Sequence, residues 1–349
     1  MVGGSSYVIF LLVFLIVKAS ADDVILQPID GKNDPEVALF FAQGADIETE
    51  QYTDIMAQLQ KEVPFKLWVG IIQCQSNVCS IPNTLKKGCS RVEKDMIDAG
   101  MNAQKHFYGG HSLGGAMMPD YLVKNAVDKA DGLVLMGSFL TRVYKTGTTA
   151  EGRPQMEYPV PVLTIGAELD GLCRITRITE NLYTQITFSE DPDHAAGYMP
   201  VTVIPGMNHM EFASGEPPSF VYDNDIQPEI EESEAHQLVV EDVSTFMGTI
   251  VYPDETTYMS TLKNRVKESQ DFTQPIVDAL NMESYEMFLP PCYCETPDEY
   301  GGKPEYGTCV SMPNCTGGCE WTTQYSQMIM SGVLDHDEVS GLTINNTDR

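Results

Sequence analysis

The sequence is poor in basic residues and has no apolar run long enough to span a bilayer. Lysine and arginine together number 21, against 50 aspartates and glutamates, which gives the 349-residue chain a formal charge of −29. Such an acidic chain repels nucleic acid and anionic membrane surfaces, and we expect neither as a partner. The longest apolar run covers only residues 7–17. A transmembrane helix needs about 20 residues, so stable membrane insertion is not expected.

Histidine is also scarce, and the sequence contains no metal-binding or nucleotide-binding motif. The six histidines form no cluster with cysteines and carboxylates at metal-ligand spacing, so we expect no metal. The glycine-rich stretches match neither a phosphate-binding loop nor a dinucleotide fingerprint. We therefore expect a function that needs no cofactor.

The N-terminal segment is typical of a secretory signal peptide. The apolar run is followed by Lys18 and then by small residues up to Ala21, a pattern that predicts cleavage after Ala21. Because no lysine or arginine precedes the run, an uncleaved signal anchor is the alternative. Export would make the sequons at Asn314 and Asn345 usable for glycosylation. We expect a protein that is secreted or resides in the secretory lumen.

Nine cysteines follow the predicted signal peptide, in two groups. In an exported chain we expect them to form disulfides, with a pairing that sequence alone does not decide. The odd number leaves one thiol free or paired outside this sequence. A zinc knuckle is the competing interpretation of the second group, but its spacing matches no common zinc pattern. The groups are Cys74, Cys79, Cys89 and Cys173, then Cys292, Cys294, Cys309, Cys315 and Cys319.

The motif G-H-S-L-G at residues 110–114 places Ser112 between a predicted strand at 105–109 and a predicted helix at 113–126. A sharp turn from strand to helix exposes a serine hydroxyl, and the flanking glycines let neighbouring backbone pass close to it. Serine becomes a nucleophile when a base removes its proton, so this motif needs a histidine and a carboxylate elsewhere. His111, beside the serine, is expected to pack and hydrogen-bond rather than to act as a second base.

Suitable partners follow two later apolar runs that read as core strands. Asp170 comes just after residues 161–166, and His209 just after residues 201–206. Parallel strands bring such loops to one edge of a sheet, so Ser112, Asp170 and His209 are expected to converge there as a catalytic triad. Glu168 is two residues from Asp170 and is the alternative acid.

Together these segments resemble the α/β-hydrolase superfamily over about residues 36–251. The stretch G-H-S-L-G-G resembles the nucleophile turn of lipases and chlorophyllases, and the acid and histidine loops resemble those of the same superfamily. The resemblance implies an oxyanion hole made by the backbone amides of Ala45 and Leu113. Gln43 stands where the superfamily often has histidine, so the loop around Ala45 departs from the usual pattern.

The resemblance implies an α/β fold, a mostly parallel sheet flanked by helices, similar in build to compact enzymes such as chlorophyllases and dienelactone hydrolases. The first two strands of a full hydrolase sheet are expected to be missing or vestigial, and residues 141–158 are too few for a multi-helix lid. The acidic run at 223–234 reads as a solvated loop, with a calcium loop or a lid as alternatives. The expected organisation is a signal peptide (1–21), a hydrolase domain (22–251), a helical connector (252–290) and a small Cys-rich C-terminal module (291–349).

The expected function is that of a secreted serine hydrolase that cleaves carboxylic esters, of small molecules or lipids, through an acyl-enzyme. Met117, Met207, Met210 and Phe212 are candidate walls of an apolar acyl pocket. Two alternatives stay open: a non-catalytic binding or adhesion protein on the same fold, and a lyase or carbon–carbon hydrolase that uses the same triad. The oligomeric state is not readable from the sequence.

Overall fold

The computed structural model describes residues 22–148, 154–187 and 189–286. Its centre is a seven-stranded sheet in which every neighbouring pair is parallel except the first, where β1 runs antiparallel to β3. In chain order the strands are β1 (Val24–Leu26), β2 (Asn33–Ala42), β3 (Phe65–Ile72), β4 (Lys105–His111), β5 (Gly132–Met136), β6 (Gly147–Thr148), β7 (Pro154–Gln155), β8 (Val162–Ala167) and β9 (Val201–Ile204). The large sheet has the order β1-β3-β2-β4-β5-β8-β9, and β6 pairs with β7 separately.

Helices follow most of the strands. They are α1 (Thr53–Glu62), α2 (Thr84–Asp98), α3 (Ser112–Asn125), α4 (Ile175–Leu182), α5 (Pro192–Tyr198), α6 (Ser219–Asn224), α7 (Glu232–Val251) and α8 (Thr256–Glu286). Short 3₁₀ turns cover Thr49–Tyr52, Gln75–Asn77, Arg142–Tyr144 and Met210–Phe212, and a π turn covers Tyr183–Thr187. The predicted fold class, a mostly parallel sheet flanked by helices, is confirmed.

Both faces of the sheet are buried, and β2 shows how the sequence achieves this. Side chains alternate between the two faces of a strand, so a strand covered on both sides must be apolar throughout. Val37, Leu39 and Phe41 join the core beneath α1 and α7. The residues between them, Ala38, Phe40 and Ala42, join the core beneath α2 and α3.

The C-terminal helix α8 packs against α7 and also contacts α4, α5 and β9. An ion pair joins it to α7, where Nε of the half-buried Arg265 lies 2.9 Å from Oδ1 of the buried Asp242. Burial raises the pKa of the Asp242 carboxyl. The predicted signal peptide, both sequons and the Cys-rich module lie outside the described residues.

Between β5 and β8 the described residues form one 3₁₀ turn and the β6-β7 pair, rather than a multi-helix lid. In the described residues from 22 onward, one short edge strand, β1, precedes the strand that leads to the expected oxyanion loop. Within the described part of the chain, no helix has both the length and the apolar character needed to cross a membrane.

Candidate active site

Ser112 occupies a sharp turn between β4 and α3. Its φ is +51°, a left-handed conformation that costs free energy in a non-glycine residue and is typical of functional sites. The flanking glycines make the turn sterically possible: a Cβ on Gly110 would lie 2.6 Å from the backbone carbon of Gly114, and one on Gly115 would lie 2.7 Å from the carbonyl oxygen of Gly110. The serine itself is half-buried.

Asp170 and His209 meet at the same edge of the sheet. Asp170 follows β8 and His209 follows β9, and His209 Nδ1 lies 2.6 Å from Asp170 Oδ2. Both side chains are buried. The other carboxylate oxygen of Asp170 accepts hydrogen bonds from the backbone amides of Leu172 (2.8 Å) and Cys173 (2.6 Å). These amides hold the carboxylate in place, and Oδ2 accepts a hydrogen bond from the Nδ1 proton of the imidazole.

The second ring nitrogen of His209 is left available for chemistry. His209 Nε2 is buried and has no hydrogen-bond partner among the described residues, the Ser112 hydroxyl included. The ring centroid of His111, the neighbour of Ser112, lies 4.6 Å from that of His209. The fold therefore brings the serine turn beside the histidine. In enzymes without substrate, the hydrogen bond between nucleophile and base is often longer than in the reacting complex.

Glu168 does not hydrogen-bond to His209. Its carboxylate instead accepts the backbone amide of Gly206 at 2.8 Å, and so ties the loop after β8 to the loop after β9. Of the two candidate acids, Asp170 is the one that hydrogen-bonds to His209, and Glu168 joins the two loops.

Three residues that the sequence did not single out hold the histidine loop. Asp225 accepts the backbone amides of Gly171 (3.0 Å) and Met210 (3.1 Å), one from each side of the Asp170–His209 pair. Glu211 accepts the amide of Asn208 at 3.0 Å, and the Asn208 side chain donates to the carbonyl of Ile226 at 2.7 Å. These hydrogen bonds tie the histidine loop to the acid loop and to the segment after α6.

Two of the residues that hold the histidine loop, Glu211 and Asp225, carry carboxyl groups whose pKa values are changed by burial. Burial raises the pKa of Glu211 to about 7, and it also raises the pKa of Asp225. Asp225 belongs to the acidic run that we expected to be a solvated loop, so that expectation is wrong for this residue. Nothing in the local sequence marks it, because its partners lie in other loops.

His111 is a fully buried residue that connects the serine turn to the loop after β2. The backbone amide of Gly44 donates to the Tyr52 hydroxyl at 2.8 Å, and that hydroxyl lies 2.9 Å from His111 Nδ1. Burial, together with nearby His209, holds the pKa of His111 well below its usual range. The arrangement agrees with a packing and hydrogen-bonding role for His111.

The loop after β2 lies against the start of α3. A Cβ on Gly114 would be 2.4 Å from the carbonyl oxygens of both Ala42 and Gln43. Gly44 and Asp46 use their amides in hydrogen bonds to Tyr52 and Asn77, whereas the Ala45 amide has no partner among the described residues. The Leu113 amide belongs to the first turn of α3, where amides lack intrahelical acceptors. Two free amides therefore stand on adjoining segments.

The candidate pocket walls divide into two groups. Met207 and Phe212 have no exposed surface and belong to the main core, and Met210 is 7% exposed in the same core. Met207 and Phe212 are therefore core residues and do not line an open pocket, contrary to our expectation. Met117 is half-buried and lies beside a surface cavity with Pro82 and Tyr121.

The described cysteines form fewer disulfides than we expected. Cys74 and Cys79 are bonded to each other. Cys89 and Cys173 are buried thiols on separate elements, and burial raises the pKa of each. Among the residues that the structure describes, no group of three or more histidine, cysteine or acidic side chains could hold a metal ion.

Comparison with known proteins identifies the family. A sequence profile described as "Alpha/beta hydrolase family" matches residues 38–216, just over half of the chain. The chain belongs to this family. The matched segment contains Ala45, Ser112, Asp170 and His209, the residues that the fold places around one edge of the sheet. No curated protein matches the chain.

Several solved structures are remotely similar. Est1E from Butyrivibrio proteoclasticus has 10% identity and a TM-score of 0.39, covering 65% of this chain and 94% of that one. A thermostable carboxyl esterase from Bacillus coagulans has 11% identity and a TM-score of 0.40, with 66% and 94% covered. The esterase Est2 from Thermogutta terrifontis has 14% identity and a TM-score of 0.40, with 66% and 90% covered. We draw no functional conclusion from these likenesses.

Proposed function

We propose that this protein is a secreted serine hydrolase that cleaves carboxylic esters with Ser112, His209 and Asp170. One observation carries the proposal: a buried pair of His209 and Asp170, 2.6 Å apart, stands at the sheet edge where Ser112 is held at a φ of +51°. A histidine whose Nδ1 is fixed by a buried carboxylate presents Nε2 as a base. A serine held in a left-handed turn beside it is placed to lose its proton.

The first half of the reaction forms an acyl-enzyme. His209 Nε2 takes the proton of the Ser112 hydroxyl while Oγ attacks the ester carbonyl, and the carbonyl electron pair moves onto its oxygen. When the tetrahedral intermediate collapses, the bond to the alcohol oxygen breaks and His209 gives its proton to that oxygen. Asp170 stays ionised throughout and stabilises the imidazolium.

The second half repeats these steps with water in place of serine. His209 takes a proton from the water, the new oxygen attacks the acyl carbon, and the carboxylic acid leaves as Ser112 regains its proton. In both halves the amides of Ala45 and Leu113 donate to the oxyanion. Each such donor typically contributes about 3 kcal/mol to the lowering of the barrier. The chemistry needs no cofactor.

Secretion and the enzyme subtype are part of the same proposal. The apolar N-terminal run with its small-residue cleavage site supports export, and so does the disulfide between Cys74 and Cys79, because disulfides persist in oxidising compartments. The short segment between β5 and β8 supports a compact enzyme, similar in build to chlorophyllases and dienelactone hydrolases. Its substrate would be a small-molecule or lipid ester.

The test is hydrolysis of p-nitrophenyl esters, from acetate to palmitate, by the secreted protein and by Ser112→Ala. Ser90→Ala is the matched control, since Ser90 is exposed on α2. We expect Ser112→Ala to lose turnover, with unchanged circular dichroism and thermal unfolding, and Ser90→Ala to keep it. Turnover retained by Ser112→Ala would refute the mechanism.

A fluorophosphonate probe separates the remaining possibilities. The proposal expects labelling of Ser112 that competes with the ester substrate. A folded wild-type protein that neither labels nor hydrolyses any ester would instead favour a binding or adhesion protein. Labelling of Ser112 without ester hydrolysis would point to a lyase or a carbon–carbon hydrolase.

A further inference from the structure

We infer that Asn77 is a positioning residue for the oxyanion hole, acting together with Gln43. The inference rests on the proposed function, because the oxyanion hole matters only if an oxyanion forms. Among the described hydrogen bonds, neither residue is joined to Ser112, Asp170 or His209. Both hold the loop that carries the Ala45 amide.

Asn77 binds the oxyanion loop (residues 43–46) at two points that flank Ala45. Its backbone carbonyl accepts the amide of Asp46 at 3.0 Å. Its side-chain Oδ1 accepts a hydrogen bond from Gln43 Nε2 at 3.1 Å and another from Gln73 Nε2. One residue therefore fixes the chain immediately after Ala45 and, through Gln43, the chain two residues before it.

The segment that carries Asn77 is itself held in an uncommon conformation. Ser76 and Asn77 both have positive φ, +53° and +57°, a region in which asparagine is better tolerated than most residues. The Cys74–Cys79 disulfide closes the backbone around them, and the Asn77 amide donates to the Cys74 carbonyl at 3.0 Å. The Asn77 backbone is therefore restrained on both sides, which keeps the groups that bind the oxyanion loop in place.

Gln43 is anchored through its side-chain nitrogen, whereas its Oε1 has no hydrogen-bond partner among the described residues. Gln43 is completely buried, and Cys79 Sγ lies 3.4 Å from its backbone carbonyl oxygen. A buried amide needs a hydrogen-bond partner, and Asn77 provides one for Nε2. Because the Gln43 side chain and the Asp46 amide are both bound to Asn77, the direction of the Ala45 amide between them is restrained.

Loss of the Asn77 side chain is expected to weaken the stabilisation of the transition state and to leave substrate binding nearly unchanged. An oxyanion-hole donor acts only where the oxyanion develops, about 2.7–3.1 Å away, so a loosened loop weakens transition-state stabilisation and leaves substrate binding nearly intact. A misplacement of about 1 Å at a reacting centre can cost about 100-fold in rate. Loss of the Asn77 side chain is therefore expected to lower kcat and to change KM little.

The test compares Asn77→Gly with Asn77→Asp in the full chain. Glycine keeps the positive φ and removes Oδ1, whereas aspartate keeps an acceptor oxygen and tolerates the same backbone. We expect kcat of Asn77→Gly to fall about tenfold to a hundredfold, with KM within about twofold, and Asn77→Asp to recover most of the loss. Gln43→Met removes the donor, so the double variant Gln43→Met/Asn77→Gly should be no slower than the slower single variant.

A second readout does not need turnover. Hydrogen exchange of the backbone amides in residues 42–47 should be faster in Asn77→Gly than in wild type, and Asn77→Asp should restore protection. If wild type hydrolyses no ester, the proposed function fails while this measurement still decides whether Asn77 holds the loop. Unchanged exchange, equal loss of kcat in both Asn77 variants, or additive losses in the double variant would overturn the inference.

Discussion

Replacement of Gly114 by alanine should damage the oxyanion hole without touching the triad. The added Cβ would lie 2.4 Å from the carbonyl oxygens of Ala42 and Gln43, and these must retreat by about 0.6 Å before the contact reaches 3.0 Å. Both oxygens belong to backbone, so the strain is not relieved by rotation of a side chain. The loop that carries Ala45 must move away from α3.

For Gly114→Ala, the expected loss of kcat can be compared with the expected loss of folding stability. Overpacking costs about 1–3 kcal/mol, and alanine in place of a helical glycine returns up to about 1 kcal/mol, so the fold should survive. Loss of one oxyanion donor costs about 100-fold to 1000-fold in kcat, or about 3–4 kcal/mol. We expect kcat of Gly114→Ala to fall by about 100-fold and KM to stay within about threefold.

The assay is steady-state hydrolysis of the best p-nitrophenyl ester, with urea unfolding measured in parallel. Gly197→Ala is the matched control, because its Cβ would meet Met259 Sδ at 2.6 Å, near the end of a flexible side chain. That variant should keep wild-type kcat. A folded Gly114→Ala enzyme with kcat within about threefold of wild type would refute the assignment of this loop to the oxyanion hole.

The acid next to His209, the Cys74–Cys79 disulfide and the buried carboxyl of Glu211 can each be tested by substitution. Asp170→Asn should lower kcat by about 10⁴-fold because the amide favours the wrong imidazole tautomer, whereas Glu168→Gln should cost less than about tenfold; equal losses in an ester assay would contradict the assignment. Replacement of both Cys74 and Cys79 by serine should lower the free energy of unfolding by about 2 kcal/mol, the entropy of closing so short a loop, as measured with urea; no loss would count against this account. Burial raises the pKa of Glu211 from 4.5 to about 7. Between these two pH values, the folded chain keeps a proton on Glu211 that the unfolded chain releases. Its contribution to stability is therefore full below pH about 4.5 and is lost as pH rises through about 7. Glu211→Gln should remove this dependence, so its stability relative to wild type should be higher at pH 8 than at pH 5, and a constant difference between the two would show that Glu211 does not titrate in this way.

Sequence patterns located most of the elements that carry the site. Apolar runs predicted the strands before Ser112, Asp170 and His209, because strands covered on both faces have to be apolar throughout. Element ends were less accurate: the predicted strand at 105–109 continues to residue 111, and the apolar run at 201–206 forms a strand only as far as residue 204. Ends depend on caps and turns, which are set by neighbouring segments.

The order of the proposed site, serine, acid and histidine, each after an apolar strand, can be read from the sequence because this order and the glycines around Ser112 are local properties. Three-dimensional contacts were needed to tell which acid meets His209, which cysteines pair, and that Asp225 and Asn77 hold the loops around the proposed site. Apart from the Cys74–Cys79 disulfide, these arrangements depend on hydrogen bonds between segments far apart in the chain. Asp170 and Glu168 differ by two positions in sequence, and the path of the backbone after β8 turns one toward the imidazole and the other toward the Gly206 amide.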